Sequence, residues 1–234
     1  MNLLVRFTLL LAFYICFATT CSVAQAPTNG LVAYYPFNGN AIDESGNGNN
    51  ATPQNGVTFG VDRFGNSGKA AKFDGVDDYI STNFPSQSSI INSVTLSSWI
   101  RINDFYNGWF PILEKPTSTN QGSFHLSYEN GASSLYFFLS GISGTSSISK
   151  PLSKSQWYSC IVTYDGSLRK FYIDGQLIGT SVASGQINLT NTGLEIGRDT
   201  PGLVEYANGQ LDDIRIYNRA LSDTEVQQLY RAFL

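Results

Sequence analysis

The chain has 234 residues, a formal net charge of −4 and only 14% charged residues. Its lysines and arginines are scattered, which excludes the basic patch that a nucleic-acid partner requires. One histidine, His125, and a cysteine set in an apolar run leave no material for a zinc cage or a Cys–His nucleophile.

Residues 1–6 carry a single positive charge at Arg6, residues 7–18 are almost wholly apolar, and Ala24-Gln25-Ala26 supplies small residues. This grammar predicts a signal peptide over residues 1–26, cleaved after Ala26, and a product that is secreted, periplasmic or held at the cell surface. The apolar run covers about a dozen residues, short of the roughly 18 that a bilayer span needs, so no membrane span is expected in residues 27–234. Loss of Arg6 takes the net charge from −4 to −5. The remaining stretch suits one large all-β domain, long enough to bury about 70% of its unfolded surface without metals or disulfides. Cys16 and Cys21 lie in the leader, so Cys160 stands alone and no intramolecular disulfide is expected. Its setting, Trp157-Tyr158-Ser159-Cys160-Ile161-Val162, is that of a buried small hydrophobe.

Short strands then alternate with turn signals. Residues 31–37 form the first, with Pro36 near its end, and the apolar-free stretch 43–50 must be a loop. Further strands are predicted at 70–73, 79–81 and 94–102. In the last of these, Val94, Leu96, Ser98 and Ile100 share one face, and Thr95, Ser97, Trp99 and Arg101 the other. Residues 103–109 read as a loop; strands follow at 110–115, 123–128, 134–139 and 157–164. Asp174-Gly175 between two apolar runs is a tight-hairpin signature, since glycine accepts the positive φ of the turn. Strands at 193–197 and 211–217 complete a series whose turn signals recur every 8–12 residues or so, the pattern of a sandwich or barrel. The chain closes on a short helix. Ser222 and Glu225 form a capping box, Leu221 and Val226 a hydrophobic staple, and Val226, Leu229 and Tyr230 the packing face.

Six stretches carry a resemblance: residues 30–50 (GLVAYYPFNGNAIDESGNGNN), 62–80 (DRFGNSGKAAKFDGVDDYI), 94–102 (VTLSSWIRI), 157–179 (WYSCIVTYDGSLRKFYIDGQLIG), 194–199 (LEIGRD) and 209–230 (GQLDDIRIYNRALSDTEVQQLY). In this order they resemble the LamG-like (laminin G-like) jelly-roll family of the concanavalin A-like lectin/glucanase superfamily, over essentially all of residues 27–234. The resemblance implies an all-β fold, a two-sheet antiparallel jelly-roll sandwich of six or seven strands per sheet with a short C-terminal helix. It also places the first strand beside the last, and the Asp43 loop beside Asp212-Asp213. Because Leu211, Asp213, Ile214 and Ile216 cannot all be buried, the Asp pair is expected at a sheet end or loop.

The resemblance admits enzymes and binding modules alike. The laminarinase-like glycosidases of this fold share a Glu-x-Asp-x-x-Glu strand motif that sets two carboxyls about 5 Å apart. The glutamates here, Glu44, Glu114, Glu129, Glu195, Glu205 and Glu225, stand isolated in different elements, which argues against an enzyme. Similar domains hold a structural calcium, Ca2+, which would be carried over to Asp43, a carbonyl near Gly48, and Asp212; the alternative is a solvated turn whose Asp43 caps backbone amides. The Asp74–Asp78 loop reads as capped turns. For ligand binding, Tyr106, Trp109 and Phe110 form an aromatic cluster fit to stack on sugars, with Trp109 capping the core as the alternative. His125 contributes if it faces the ligand; Trp99 and Trp157 read as packing residues. The expected partner is a glycan, or failing that an extracellular protein in cell adhesion.

Overall fold

The computed structural model describes residues 25–84, 90–116, 122–200 and 205–234; all but the last two residues of the expected signal peptide lie outside them. In chain order the strands are β1 (Leu31–Tyr35), β2 (Ala51–Gln54), β3 (Thr58–Gly60), β4 (Ala70–Asp74), β5 (Tyr79–Thr82), β6 (Val94–Asp104), β7 (Trp109–Lys115), β8 (Phe124–Glu129) and β9 (Ser134–Leu139). They continue with β10 (Ser147–Ser149), β11 (Trp157–Tyr164), β12 (Leu168–Ile173), β13 (Gln176–Val182), β14 (Leu194–Ile196), β15 (Arg198–Asp199), β16 (Glu205–Tyr206) and β17 (Asn208–Tyr217), and the helix α1 (Asp223–Arg231) follows.

An eight-stranded sheet runs β13-β12-β11-β6-β17-β4-β3, with β1 also paired to β17; a seven-stranded sheet runs β10-β9-β8-β7-β14-β5-β2. All their pairings are antiparallel. The expected two-sheet sandwich is therefore the observed fold, with one sheet a strand larger than anticipated. Period-2 alternation explains the layers. Leu96, Ile100 and Ile102 of β6 face Phe124, Leu126 and Tyr128 of β8 and Leu135, Phe137 and Leu139 of β9 within one buried cluster. Cys160 lies in that cluster, and burial pushes its thiol well above the ordinary range. The Asp174-Gly175 turn has positive φ at both residues, 50° and 71°, as a two-residue hairpin between β12 and β13 demands.

The outer face of the eight-stranded sheet carries α1. Ser222 and Glu225 form the expected reciprocal cap, and Leu221, Val226 and Leu229 pack on Ile161, Tyr172 and Tyr217 in a second, smaller cluster. One expectation fails here. Asp212 and Asp213 lie mid-strand in β17, both buried, and Leu211, Ile214 and Ile216 are buried as well. A β-bulge makes this possible. Between Asp212 and Arg215 the register against β6 shifts, and Asp213 adopts φ 49°. The bulge turns both carboxylates outward to Arg63, whose Nη1 and Nη2 each meet one of them at 2.7 Å. The guanidinium is sandwiched further by Trp99 at 4.4 Å and Phe64 at 4.5 Å, and its Nε donates to the Phe233 carbonyl. Trp99 also stacks on Tyr230 of α1 at 5.8 Å, so it is a packing residue, although on the sheet's outer side.

Candidate functional site

The outer face of the seven-stranded sheet is built differently. Alternation that sends Phe124, Leu126 and Tyr128 inward sends His125 and Ser127 outward, and the same logic in β9 turns Tyr136 and Phe138 outward. Cross-strand register sets one row across the sheet: Phe138, His125, Glu114, Glu195 and Ser81 stand side by side on β9, β8, β7, β14 and β5. Two acidic residues and the histidine, separated by 11 and 70 positions in the chain, are thus nearest neighbours. The reading of these glutamates as isolated holds along the sequence and fails in space.

A short ribbon, β15 paired with β16, roofs this row. The Thr200 amide donates to Glu114 Oε2 at 2.8 Å and the Thr200 hydroxyl to Glu195 Oε2 at 2.8 Å. Glu195 is further held by Arg198, whose Nε lies 2.8 Å from Oε2 and whose Nη2 meets Oε1. The Arg198 guanidinium lies 3.5 Å over the Tyr79 ring. The roof brings Asp199 down to the row, where an oxygen of Glu114, a ring nitrogen of His125 and an oxygen of Asp199 all lie within 4.8 Å of one another.

Burial dominates the electrostatics. Glu114 is fully buried, its Oε1 meets no hydrogen-bond partner, and desolvation with the adjacent Asp199 pushes its carboxyl up to about 9. His125 is 2% exposed, and among the described residues neither ring nitrogen has a hydrogen-bond partner; burial holds its pKa down, against the opposing pull of Asp199. Glu205, opposite Asp199 in the ribbon, is raised to about 7 by burial and then by Asp199.

Aromatic side chains flank this acidic row. Trp109 meets Tyr136 edge-on at 5.5 Å, Tyr136 meets His125 edge-on at 5.6 Å, and Tyr106 meets Tyr206 of β16 edge-on at 6.2 Å. Trp109, Tyr106, Tyr136 and Tyr206 are each only half-buried. Tyr106 and Trp109 are brought together by a two-residue turn: each accepts the other's backbone N–H, and Asn107 and Gly108 have φ of 48° and 89°. Residues 103–109 are therefore a strand end and a hairpin rather than the loop expected. Asn107-Gly108, the strongest short-range hairpin signal, was the clue to it. The hairpin also corrects the placement of Phe110. With Trp109 starting β7 outward, Phe110 points inward, is fully buried and belongs to the core, so it offers no surface to a ligand. His125 points to the outer face of the sheet, but its ring is enclosed.

The residues proposed for calcium do not fit that ion. Asp43 Oδ1 accepts the Tyr34 and Ser45 amides and Oδ2 the Asn49 amide, each at 2.9 Å. The carboxylate is thus a turn cap, the alternative held for it above. Asp212 belongs to Arg63 and to the Asp213 amide, and a guanidinium at 2.7 Å repels a second cation. β1 pairs with β17 as expected, but Asp43 and Asp212 are committed to separate partners. The Asp74 loop is capped as expected: Asp74 accepts the Val76 amide and Asp78 the Asp74 amide.

These features define an antiparallel jelly-roll sandwich with one outer face occupied by its own helix and the other presenting aromatic and acidic side chains. Residues 73–227 match the laminin G family model described as the concanavalin A-like lectin/glucanases superfamily, and the chain belongs to that superfamily. A search of curated proteins finds no match. Among solved structures, domain 4 of AbnA, an extracellular GH43 arabinanase from Geobacillus stearothermophilus, in complex with arabinotriose, superposes with a TM-score of 0.67 at 18% identity, covering 86% of this chain and 98% of that one. The binding domain of botulinum neurotoxin DC in complex with SialylT gives 0.67 at 15% identity, covering 88% of this chain and 52% of the other. Trypanosoma rangeli sialidase in complex with sialic acid gives 0.62 at 20% identity, covering 89% of this chain. The chain spans about half of that toxin domain and 34% of that sialidase. At these identities the likeness is one of fold.

Proposed function

We propose that the protein is a secreted, non-catalytic carbohydrate-binding module whose binding face is the outer surface of the seven-stranded sheet. One observation carries this reading: Tyr106, Trp109, Tyr136 and Tyr206 stand half-exposed together on that face. Sugars dock through their apolar C–H faces, and flat rings beside a few polar groups suit them. The arabinotriose, SialylT and sialic acid bound by the structural neighbours support the same ligand class. On the opposite sheet, α1 and the Arg63 cluster cover part of the outer face.

Binding is favoured over hydrolysis by the state of the carboxyls. A retaining glycosidase needs an acid and a nucleophile that both reach the sugar. Glu114 is sealed beneath Thr200 and Asp199, and both oxygens of Glu195 are held by Arg198. Calcium has no part in this reading.

A glycan array followed by polysaccharide pull-down tests it. Retention on at least one polysaccharide is expected, weakened by Trp109→Ala with the fold intact by circular dichroism. A Trp at the centre of a binding patch is worth about 2 kcal/mol, or roughly thirtyfold in Kd. Binding to an extracellular protein with no retention on any glycan would replace this reading with adhesion.

A further inference from the structure

From the row beneath the ribbon we infer a second ligand site: Glu114, His125 and Asp199 form a three-residue site for a divalent transition-metal ion of the zinc class. The sequence alone offers no zinc cage because His125 has no histidine partner; the fold supplies two carboxylates instead. This inference is independent of the sugar-binding reading.

Three observations carry it. First, the composition suits the ion, because imidazole nitrogen and carboxylate oxygen are both zinc donors. Second, the spacing suits an ion better than direct contact. His125 Nδ1 and Asp199 Oδ2 are 3.7 Å apart, beyond hydrogen-bonding range. Donors that share a tetrahedral ion at about 2.0–2.1 Å stand about 3.4 Å from each other, so the His125–Asp199 pair is within a few tenths of an ångström of that spacing, and all three donor atoms lie within 4.8 Å of one another. Third, the imidazole is left unmet. Among the described residues neither buried His125 nitrogen, nor Glu114 Oε1, meets the geometric criteria for a hydrogen bond, although leaving such groups unmet costs about 1–3 kcal/mol each.

The surroundings are arranged for a bound ion as well. Glu114 is oriented by the Thr200 amide on its other oxygen, the kind of outer contact that fixes metal-ligating carboxylates. The His125 ring is fixed edge-on against Tyr136. Asp199, the one ligand with an exposed edge (23% for its side chain), sits on the roofing ribbon and gives the ion its way in. Three protein donors leave the fourth tetrahedral position to a water molecule.

Because His125 is the chain's only histidine, the test can be read at one residue. Tag-free protein, stripped with EDTA, is titrated with Zn2+ by calorimetry, while the imidazole 15N resonances of the single histidine are followed by NMR. One Zn2+ per chain is expected, with a large shift of a His125 nitrogen, reversed by EDTA. Glu114→Gln and His125→Gln should each weaken binding at least tenfold, whereas Asp74→Asn in the exposed acidic turn should leave it unchanged. If either site variant fails to fold, the wild-type imidazole signal still decides. No uptake, or uptake that leaves the imidazole resonances in place and responds only to Asp74→Asn, would overturn the assignment.

Discussion

The two sheets bury acidic side chains on their outer faces in opposite ways. On the eight-stranded sheet, Asp212 and Asp213 lie under Arg63, Arg215 reaches Asp213 at 3.3 Å, and the Tyr34 hydroxyl donates to Asp213 at 2.8 Å. Each carboxylate has a cation, and the cation in turn has aromatic rings on it. On the seven-stranded sheet, Glu114 and His125 are as deeply buried, and Glu114 Oε1 and both His125 nitrogens lack a hydrogen-bond partner. A satisfied buried network rigidifies a fold, whereas an unsatisfied one calls for a partner or a role. The first cluster is architecture; the second is the one to which the proposed ion is assigned.

Substitution should break this contrast most sharply at Arg63. Arg63→Met strands two buried carboxylates with only Arg215 nearby, and loss of one partner from a buried ion pair costs about 3–5 kcal/mol. Urea unfolding should show that loss; a change under 1 kcal/mol would mean that the Asp pair does not depend on it. The matching change on the other face, Glu114→Gln, should move stability by less than about 1 kcal/mol. Glutamine keeps the acceptor for the Thr200 amide, and a carboxyl raised to about 9 carries little charge at neutral pH to lose. Equal costs at the two positions would erase the distinction drawn between them.

The smallest effect concerns acid. Hydrogen bonds from Arg219 hold the Glu225 carboxyl down at about 2, against an ordinary 4.5, with the Ser222 cap helping. A carboxyl depressed in the folded state stabilises fully above its unfolded pKa, and that share is lost as pH falls from about 4.5 toward 2. Because the pair is only partly covered, with 25% and 28% of its side chains exposed, Glu225→Gln should cost about 1 kcal/mol at pH 7. The gap in Tm between wild type and variant should narrow on going to pH 2; a constant gap would count against the pairing.

What could be read from the sequence was local, and what could not was long-range. Alternation in residues 94–102, the Asp174-Gly175 turn and the Ser222–Glu225 box each act over a few residues, so their outcome was visible beforehand. The five short strands β2, β3, β10, β15 and β16 escaped, being two to four residues long with too little pattern to detect. The site escaped for a stronger reason. Glu114 meets His125 through the register of β7 on β8, and meets Asp199 through a ribbon that returns 85 positions later; nothing in either stretch of sequence specifies that meeting. Arg63 lies 149 positions from Asp212, and with no cation nearby in the sequence the Asp pair points to a sheet end or loop. Phe110 was different, since Asn107-Gly108 signalled the hairpin that turns it inward.

The most direct test compares one tryptophan from each outer face. Trp109 belongs to the seven-stranded sheet; Trp157 lines a cavity of about 280 Å³ with Trp99, Tyr230 and Phe233 on the eight-stranded one. With affinity electrophoresis in a gel containing a retained polysaccharide, Trp109→Ala should run freely while Trp157→Ala is held back like the wild type. The reverse pattern would place recognition on the helix-covered face and contradict the account.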